Sequence, residues 1–198
     1  GIKNQLISKT FKNIASPPGR MEILQKKPFL VIIDFAHNQF SLKIALEISL
    51  LLNAKIVDQI QIMRKTVIDG SNTSGFQRTA LIATNGFINT SKGKIGIQTI
   101  CLEEDAARKV KETHDSIIFR LDRLGIPLIE IATTSDIKSP EHAKDVAETL
   151  GMILRSTNKV KHGIGTIRQD INISINNQPR VEIKGFQDLR VMPKTIEN

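Results

Sequence analysis

The chain has 198 residues, 40% hydrophobic and 24% charged, a globular balance that excludes disordered, collagen-like and coiled-coil chains. Its formal charge of +8 favours an anionic partner such as a nucleotide or nucleic acid, while the lack of Trp and Tyr argues against an aromatic stacking platform for single strands. The single cysteine excludes an internal disulfide and a structural zinc site, and no apolar run reaches the roughly eighteen residues of a membrane span, so a soluble cytoplasmic protein without membrane association is expected.

Residues 1–27 are polar and basic, holding most of the charge excess, and are broken by Ser16-Pro17-Pro18-Gly19, which is incompatible with regular structure. Phe29 to Phe35 reads as a buried strand. Behind Ser41 as a cap, the spacing of Leu42, Ala45, Leu46, Ile48, Ser49 and Leu52 predicts a helix over 41–53. Strand-like runs rich in Ile, Val and Thr follow at Ile56 to Ile68, Thr79 to Ile88 and Lys94 to Leu102, with a turn at Ser91-Lys92-Gly93. Residues 116–133 predict two strand segments with a bend at Gly125 and Pro127. A helix capped by Ser139, with Pro140 in its first turn, is predicted to run to Arg155. Strands at Gly165 to Ile175 and Arg180 to Ile183 and a short helix over 187–197 complete the chain. Runs of strands without strict helix alternation indicate an α+β fold with a largely antiparallel sheet flanked by helices.

Three stretches carry candidate chemistry. In the strand ending at Ile175, Ile167, Ile171, Ile173 and Ile175 alternate with Thr166, Arg168, Asp170, Asn172 and Ser174. In the next strand Val181 and Ile183 alternate with Arg180, Glu182 and Lys184. A three-residue loop at Asn177, Gln178 and Pro179 would set Ser174 across from Glu182 and Asn172 across from Lys184, making either a polar site or a solvated face of ion pairs. Glu103, Glu104 and Asp105 end an apolar strand; hard oxygen ligands suit Mg²⁺ or Mn²⁺, and a helix N-terminus is the plainer alternative. Between Lys65 and Arg78, small polar residues and two glycines could wrap a phosphate or simply connect two strands. The glycine spacing matches neither a P-loop nor a dinucleotide fingerprint. Cys101 reads as an inert buried thiol, and His37, His114, His142 and His162 read as surface residues without metal spacing.

Five runs, Val67 to Arg78, Gly96 to Ala107, Arg120 to Ala132, Gly163 to Ser174 and Arg180 to Gly185, closely resemble the catalytic cradle domain of glutamyl-tRNA(Gln) amidotransferases, that of the archaeal GatE type and more distantly that of the GatB type. The resemblance is continuous from about Leu42 to Asn198, so the organisation expected is a shortened basic segment at 1–40 and one catalytic domain at 41–198, without the tRNA-binding domains that follow in the family. It implies a fold similar to glutamine synthetase and guanido kinases. It also implies an ATP-dependent carbon–nitrogen ligase acting on Glu-tRNA(Gln). ATP and Mg²⁺ phosphorylate the glutamyl side chain, and ammonia from an asparaginase-like partner, or from an amidase partner in the bacterial type, displaces the phosphate. By position Glu103 and Glu104 match the family's Mg²⁺-binding pair. Asp170 and Glu182 are further candidate catalytic carboxylates. Lys65, Arg78, Arg168 and Lys184 are candidate phosphate or substrate contacts, and Gln77 and Asn172 are candidates to orient polar groups. The chain departs from the family where a Gly-x-Glu-Ile-His strand is replaced by Gly1 to Leu6 and a cysteine-bearing segment by Phe11 to Ser16. A degenerate member that binds tRNA or partner subunits without chemistry is therefore the alternative reading.

Overall fold

The computed structural model describes residues 22–25, 31–33, 39–175 and 178–198. In chain order the elements are β1 (Glu22–Gln25), β2 (Val31–Ile33), α1 (Gln39–Leu51), β3 (Lys55–Ile56), β4 (Ile62–Thr66), β5 (Phe76–Thr90), β6 (Gly93–Glu104), β7 (Arg108–Glu112), β8 (Ile117–Arg120), β9 (Pro127–Thr133), α2 (Pro140–Ser156), β10 (Gln169–Ile173), β11 (Val181–Phe186) and α3 (Met192–Glu197). A five-stranded sheet has the order β3-β5-β6-β9 with β4 also against β5, and three antiparallel pairs stand apart from it, β1-β2, β7-β8 and β10-β11. The mixture of few helices with antiparallel sheets agrees with the α+β expectation.

The chain forms two compact units, one of Gly1–Lys43, Lys65–Gln77 and Glu103–Leu128, the other of Ile44–Arg64, Arg78–Leu102 and Ile129–Asn198. The second holds the described hydrophobic core. Ile44, Ile48 and Leu52 from α1 meet Ala83, Ile88, Ile95, Ile97 and Ile100 from β5 and β6, with Val146, Leu150, Ile153 and Leu154 from α2 packed against them. Each fully buried isoleucine or leucine here contributes about 1.5–3 kcal/mol.

Helix α1 starts at Gln39, so Ser41 is not its cap; it lies buried within the first turn. The apolar spacing begins only at Leu42, and the exposed Phe40 ahead of it gives the pattern no core position to count. The C-terminal end is set by Asn53, left-handed at φ 52°. The Ala54 N–H reaches the Ser49 carbonyl at 2.9 Å and the Asn53 N–H reaches that of Leu50 at 3.0 Å, the paired bonds of a Schellman motif. The Leu52 carbonyl then accepts from the Phe87 N–H at 2.8 Å, and the Asn53 amide donates to the Phe87 carbonyl at 3.2 Å. This docks the helix end on an irregular point of β5, where Asn85 is also left-handed at φ 56°. Gly86 makes the approach possible: a Cβ there would lie 2.6 Å from the Leu52 carbonyl oxygen and 2.8 Å from the Ala54 Cβ.

Helix α2 begins as expected. The Ser139 side chain accepts from the His142 N–H at 3.2 Å, and Pro140 occupies the first turn. His142 is buried, not a surface residue, because its Nε2 packs 3.2 Å from Thr90 Oγ1. Next to it the Ser91 N–H and hydroxyl donate to Asp145 Oδ2 at 3.0 and 2.7 Å, tying the β5-β6 turn to the helix.

Several expectations change in the structure. The run Ile56 to Ile68 is two strands, β3 and β4, with irregular backbone between them. Strand β7 has no counterpart among the predicted elements because Arg-Lys-Val-Lys-Glu offers one apolar residue and is exposed throughout. Strand β10 starts at Gln169, four residues later than expected, since Gly163 and Gly165 take left-handed backbone and Ile164 is exposed. The final helix is shorter, preceded by a turn in which Asp188 Oδ1 accepts from the Arg190 N–H at 3.0 Å. Cys101 is half-buried, not fully buried. Of the expected strand Phe29 to Phe35, Val31–Ile33 is strand; the rest of it, the segments 1–6 and 11–16, the 16–19 break and His37 lie outside the described residues. Strand β1 follows that break in a stretch whose residues carry no clear strand pattern.

Replacing Gly86 by alanine is expected to lower stability by about 1–3 kcal/mol, since the clash is with backbone that cannot rotate away. An unchanged urea midpoint would show that the α1 end can shift. Acid should also weaken the fold. Hydrogen bonds from Thr134 and then from the Gly96 N–H hold Asp136 below the ordinary carboxylate value of 3.8; Ser91 does the same for Asp145, and Arg190 holds Asp188 down at about 2. A depressed folded value means that the stabilisation is complete above about pH 4 and is lost as pH falls through the folded values. Thermal midpoints should therefore decline between about pH 4 and pH 2, and Asp188→Asn should flatten the lower part of that decline.

Candidate functional site

The acidic end of β6 lies in the first unit. Alternation sends Glu103 and Glu104 to opposite faces of the strand, and both are largely buried, so each charge needs a partner. Lys65, at the end of β4, places Nζ 2.6 Å from Glu103 Oε1; its side chain is 48% exposed while that of Glu103 is 11% exposed. Gln77 at the start of β5 donates through Nε2 to the Glu104 carbonyl at 2.5 Å and reaches Glu103 Oε2 at 3.4 Å. Both oxygens of Glu103 are thus held by the two cofactor-binding candidates nearest in space.

Asp105 continues the run as irregular backbone, and no helix starts there, which removes the helix-terminus alternative. Its N–H donates to the Ile126 carbonyl at 2.8 Å and its own carbonyl accepts from the Gly125 N–H at 2.9 Å. The carboxylate accepts from the Ala106 N–H at 3.0 Å and lies 3.7 Å from Arg123 Nε, which donates to the Ala106 carbonyl at 2.9 Å. Arg123 is a site residue that the sequence motifs do not single out. A signal for it exists all the same: three consecutive acids call for nearby cations, and Arg120-Leu-Asp-Arg123 is a cation-bearing run shortly downstream.

The stretch between Lys65 and Arg78 folds back on itself. The Ser71 N–H and hydroxyl donate to Asp69 Oδ1 at 2.9 and 2.6 Å, and these bonds hold the Asp69 carboxyl below its ordinary range. The Gly75 N–H meets the Asn72 carbonyl and the Val67 N–H meets that of Gly75, both at 2.9 Å. The Ala107 N–H donates to the Ser71 carbonyl at 2.8 Å, fastening the loop beside the acidic strand end. Several amides that could face a phosphate are therefore engaged within the loop.

In the second unit, β10 and β11 form the expected hairpin with Asp170, Asn172, Glu182 and Lys184 all exposed and Ile171, Ile173 and Ile183 half-buried. The register differs by two residues: Asn172 pairs with Glu182, Ile173 with Val181 and Ile171 with Ile183. The connection runs from 174 to 180 instead of three residues, which keeps the polar set on one face but leaves Ser174 beyond the paired strands. Val181, expected inward, is exposed at the strand end. The irregularity between Gln169 and Ile171 coincides with Gly185 at φ +69°, whose N–H donates to Asp170 Oδ1 at 2.7 Å. Lys184 Nζ lies 3.2 Å from Glu182 Oε2. Arg78 is half-buried in β5, and Arg168 is exposed just before β10.

The donor set bears on a metal. Among the described residues no group of three or more His, Cys, Asp or Glu could by itself hold a metal ion. Mg²⁺ needs less, since it is commonly held by one or two carboxylates together with water and phosphate oxygens. The oxygen-only pair Glu103 and Glu104 fits that smaller requirement.

Residues 35–198 match the family model described as GatB/GatE catalytic domain. The chain is 59% identical over 158 residues to the glutamyl-tRNA(Gln) amidotransferase GatE of Methanocaldococcus jannaschii, covering 80% of this chain and 25% of that protein. The GatE of Methanosarcina acetivorans is 62% identical over 159 residues, covering 80% and 25%, and that of Archaeoglobus fulgidus is 56% identical over 160 residues, covering 81% and 26%. The chain spans about a quarter of the length of the curated relatives it matches. Among the described residues no helix is long and apolar enough to cross a membrane.

Removing the Lys65 cation strands a mostly buried carboxylate. Lys65→Met is expected to lose about 1–3 kcal/mol, and adding Glu103→Gln should recover part of that loss. Urea unfolding of the two single variants and the double variant measures the coupling. A value near zero would show that water already satisfies Glu103.

Proposed function

The chain belongs to the GatB/GatE catalytic domain family, and on that footing we propose that it is the catalytic portion of a tRNA-dependent amidotransferase that converts Glu-tRNA(Gln) to Gln-tRNA(Gln). The observation that carries the reading is that the match takes in the acidic end of β6 and the polar hairpin alike, at 56–62% identity to proteins named for this reaction. A glutamine synthetase-like or guanido kinase-like fold accompanies the proposal and is supported by the antiparallel pairings. So is a cytoplasmic location, where aminoacylated tRNA is handled.

In this reading ATP with Mg²⁺ supplies the phosphoryl group and the charge neutralisation that activate the glutamyl carboxylate. Ammonia delivered by a partner protein then displaces phosphate, so no protein nucleophile is needed, which accords with Cys101 having no catalytic part. Glu104 and Glu103 would hold the metal, Glu104 the more directly. Lys65 and Gln77 fix the Glu103 carboxylate in place before substrate arrives, so that little reorganisation is required during transfer. Asp170, Glu182, Lys184, Asn172, Arg168 and Arg78 are the proposed polar and cationic contacts to substrate or nucleotide, and of these Glu182 and Lys184 are already matched in charge.

In the assembled amidotransferase carrying this domain, Glu104→Gln is expected to reduce both Glu-tRNA(Gln)-dependent phosphate release from ATP and formation of Gln-tRNA(Gln) by about 100-fold or more. Its circular dichroism should stay that of the parent. Parent-like rates in the variant would overturn the assignment.

A further inference from the structure

The second unit contains a cavity of about 390 Å³ that none of the candidate site residues lines; the end of α2 and the loop after it form most of its wall. Arg155 and Lys161 bring two full cations and His162 an imidazole, and no carboxylate is among the lining residues. The loop backbone is shaped by Gly163 at φ +107° and Gly165 at φ +81°. Thr166 closes the turn: its hydroxyl donates to the Gly163 carbonyl at 2.7 Å, and its N–H reaches the same oxygen at 3.4 Å. Among the described residues no hydrogen bond takes up the N–H groups of Ile164 or Gly165.

Cations and unengaged amides around a concavity free of acids are suited to a tetrahedral oxyanion. Arginine supplies a planar fork, lysine a compact charge, and glycine-shaped loops turn successive N–H groups toward one point. A carboxylate in the wall would repel such a group, and none is there. The volume has room for more than one phosphate group. The geometry points to a phosphate-binding site at Arg155, Lys161 and the 163–166 loop. The phosphate is either that of a free polyphosphate or nucleotide or a phosphodiester of RNA. The site lies within one unit and goes beyond the amidotransferase reading, on which it does not depend.

Calorimetric titration of the 198-residue chain with sodium pyrophosphate, with metal-free ATP and with a short RNA duplex tests this at fixed ionic strength. Arg155→Gln/Lys161→Gln is expected to weaken binding about tenfold or more, and Lys92→Gln, at the exposed β5-β6 turn, to leave it within about twofold. Nitrogen-15 spectra of the parent chain give a second readout that needs no variant: the amide signals of Gly163, Ile164 and Gly165 should move on titration. Binding of pyrophosphate or ATP assigns the site to a free polyphosphate; binding of RNA alone, lost in the double variant, assigns it to a phosphodiester. Absence of binding by all three probes, equal losses in the double variant and Lys92→Gln, or unmoved loop amides would each overturn the site. Because the measurement reads binding and not turnover, its failure leaves the amidotransferase reading untouched.

Discussion

The first unit is organised around the need to neutralise consecutive carboxylates at the end of a largely buried strand. Glu103, Glu104 and Asp105 repel one another and are shielded from water, a combination that a fold sustains only by bringing donors to each. Lys65 and Gln77 come from the strands on one side of the sequence and Arg123 from the segment on the other, so the acidic run recruits chain from both directions. The loop 67–75 and the Gly125 turn are fastened to the same place by backbone bonds to Ala107, Ser71 and Asp105. Local order in this unit is therefore an electrostatic matter more than an apolar one.

The second unit follows the opposite logic. Its core is isoleucine and leucine from two helices and a sheet, and its polar bonds sit where elements end: Ser139 on α2, Asn53 after α1, Asp145 on the β5-β6 turn. These positions are typical of side chains that satisfy the backbone groups left open by helix and strand termini.

Long-period signals are readable in the residues. The α2 helix with its serine cap, the two long strands around Ser91, and the alternation in β10 and β11 all depend on local chemistry that the sequence displays directly. What stays hidden depends on partners distant in sequence. Ser41 resembles a cap because capping residues are also tolerated within a first turn. The two-residue change of register in the hairpin comes from Gly185 and Asp170 bonding across the strands, and strand β7 forms through pairing with β8 although its own composition is that of a charged linker. Of the candidate site, the acids and Lys65 are recognisable by type, yet the pairing of Lys65 with Glu103 over 38 residues is not, and Arg123 enters only through its position in space.

The docking of Asn53 against Phe87 joins points 34 residues apart through main-chain carbonyls and one amide side chain. Closing so long a loop costs about 3 kcal/mol of chain entropy before any of its contacts repay it, which places this junction among the later events of folding. The same logarithmic dependence makes the length of the enclosed segment thermodynamically forgiving: doubling it adds only about 0.6 kcal/mol. Extra residues inserted at 58–61, where the backbone is irregular, would therefore burden folding kinetics more than the final balance of states, so this bend is a natural point at which such a domain can acquire new length.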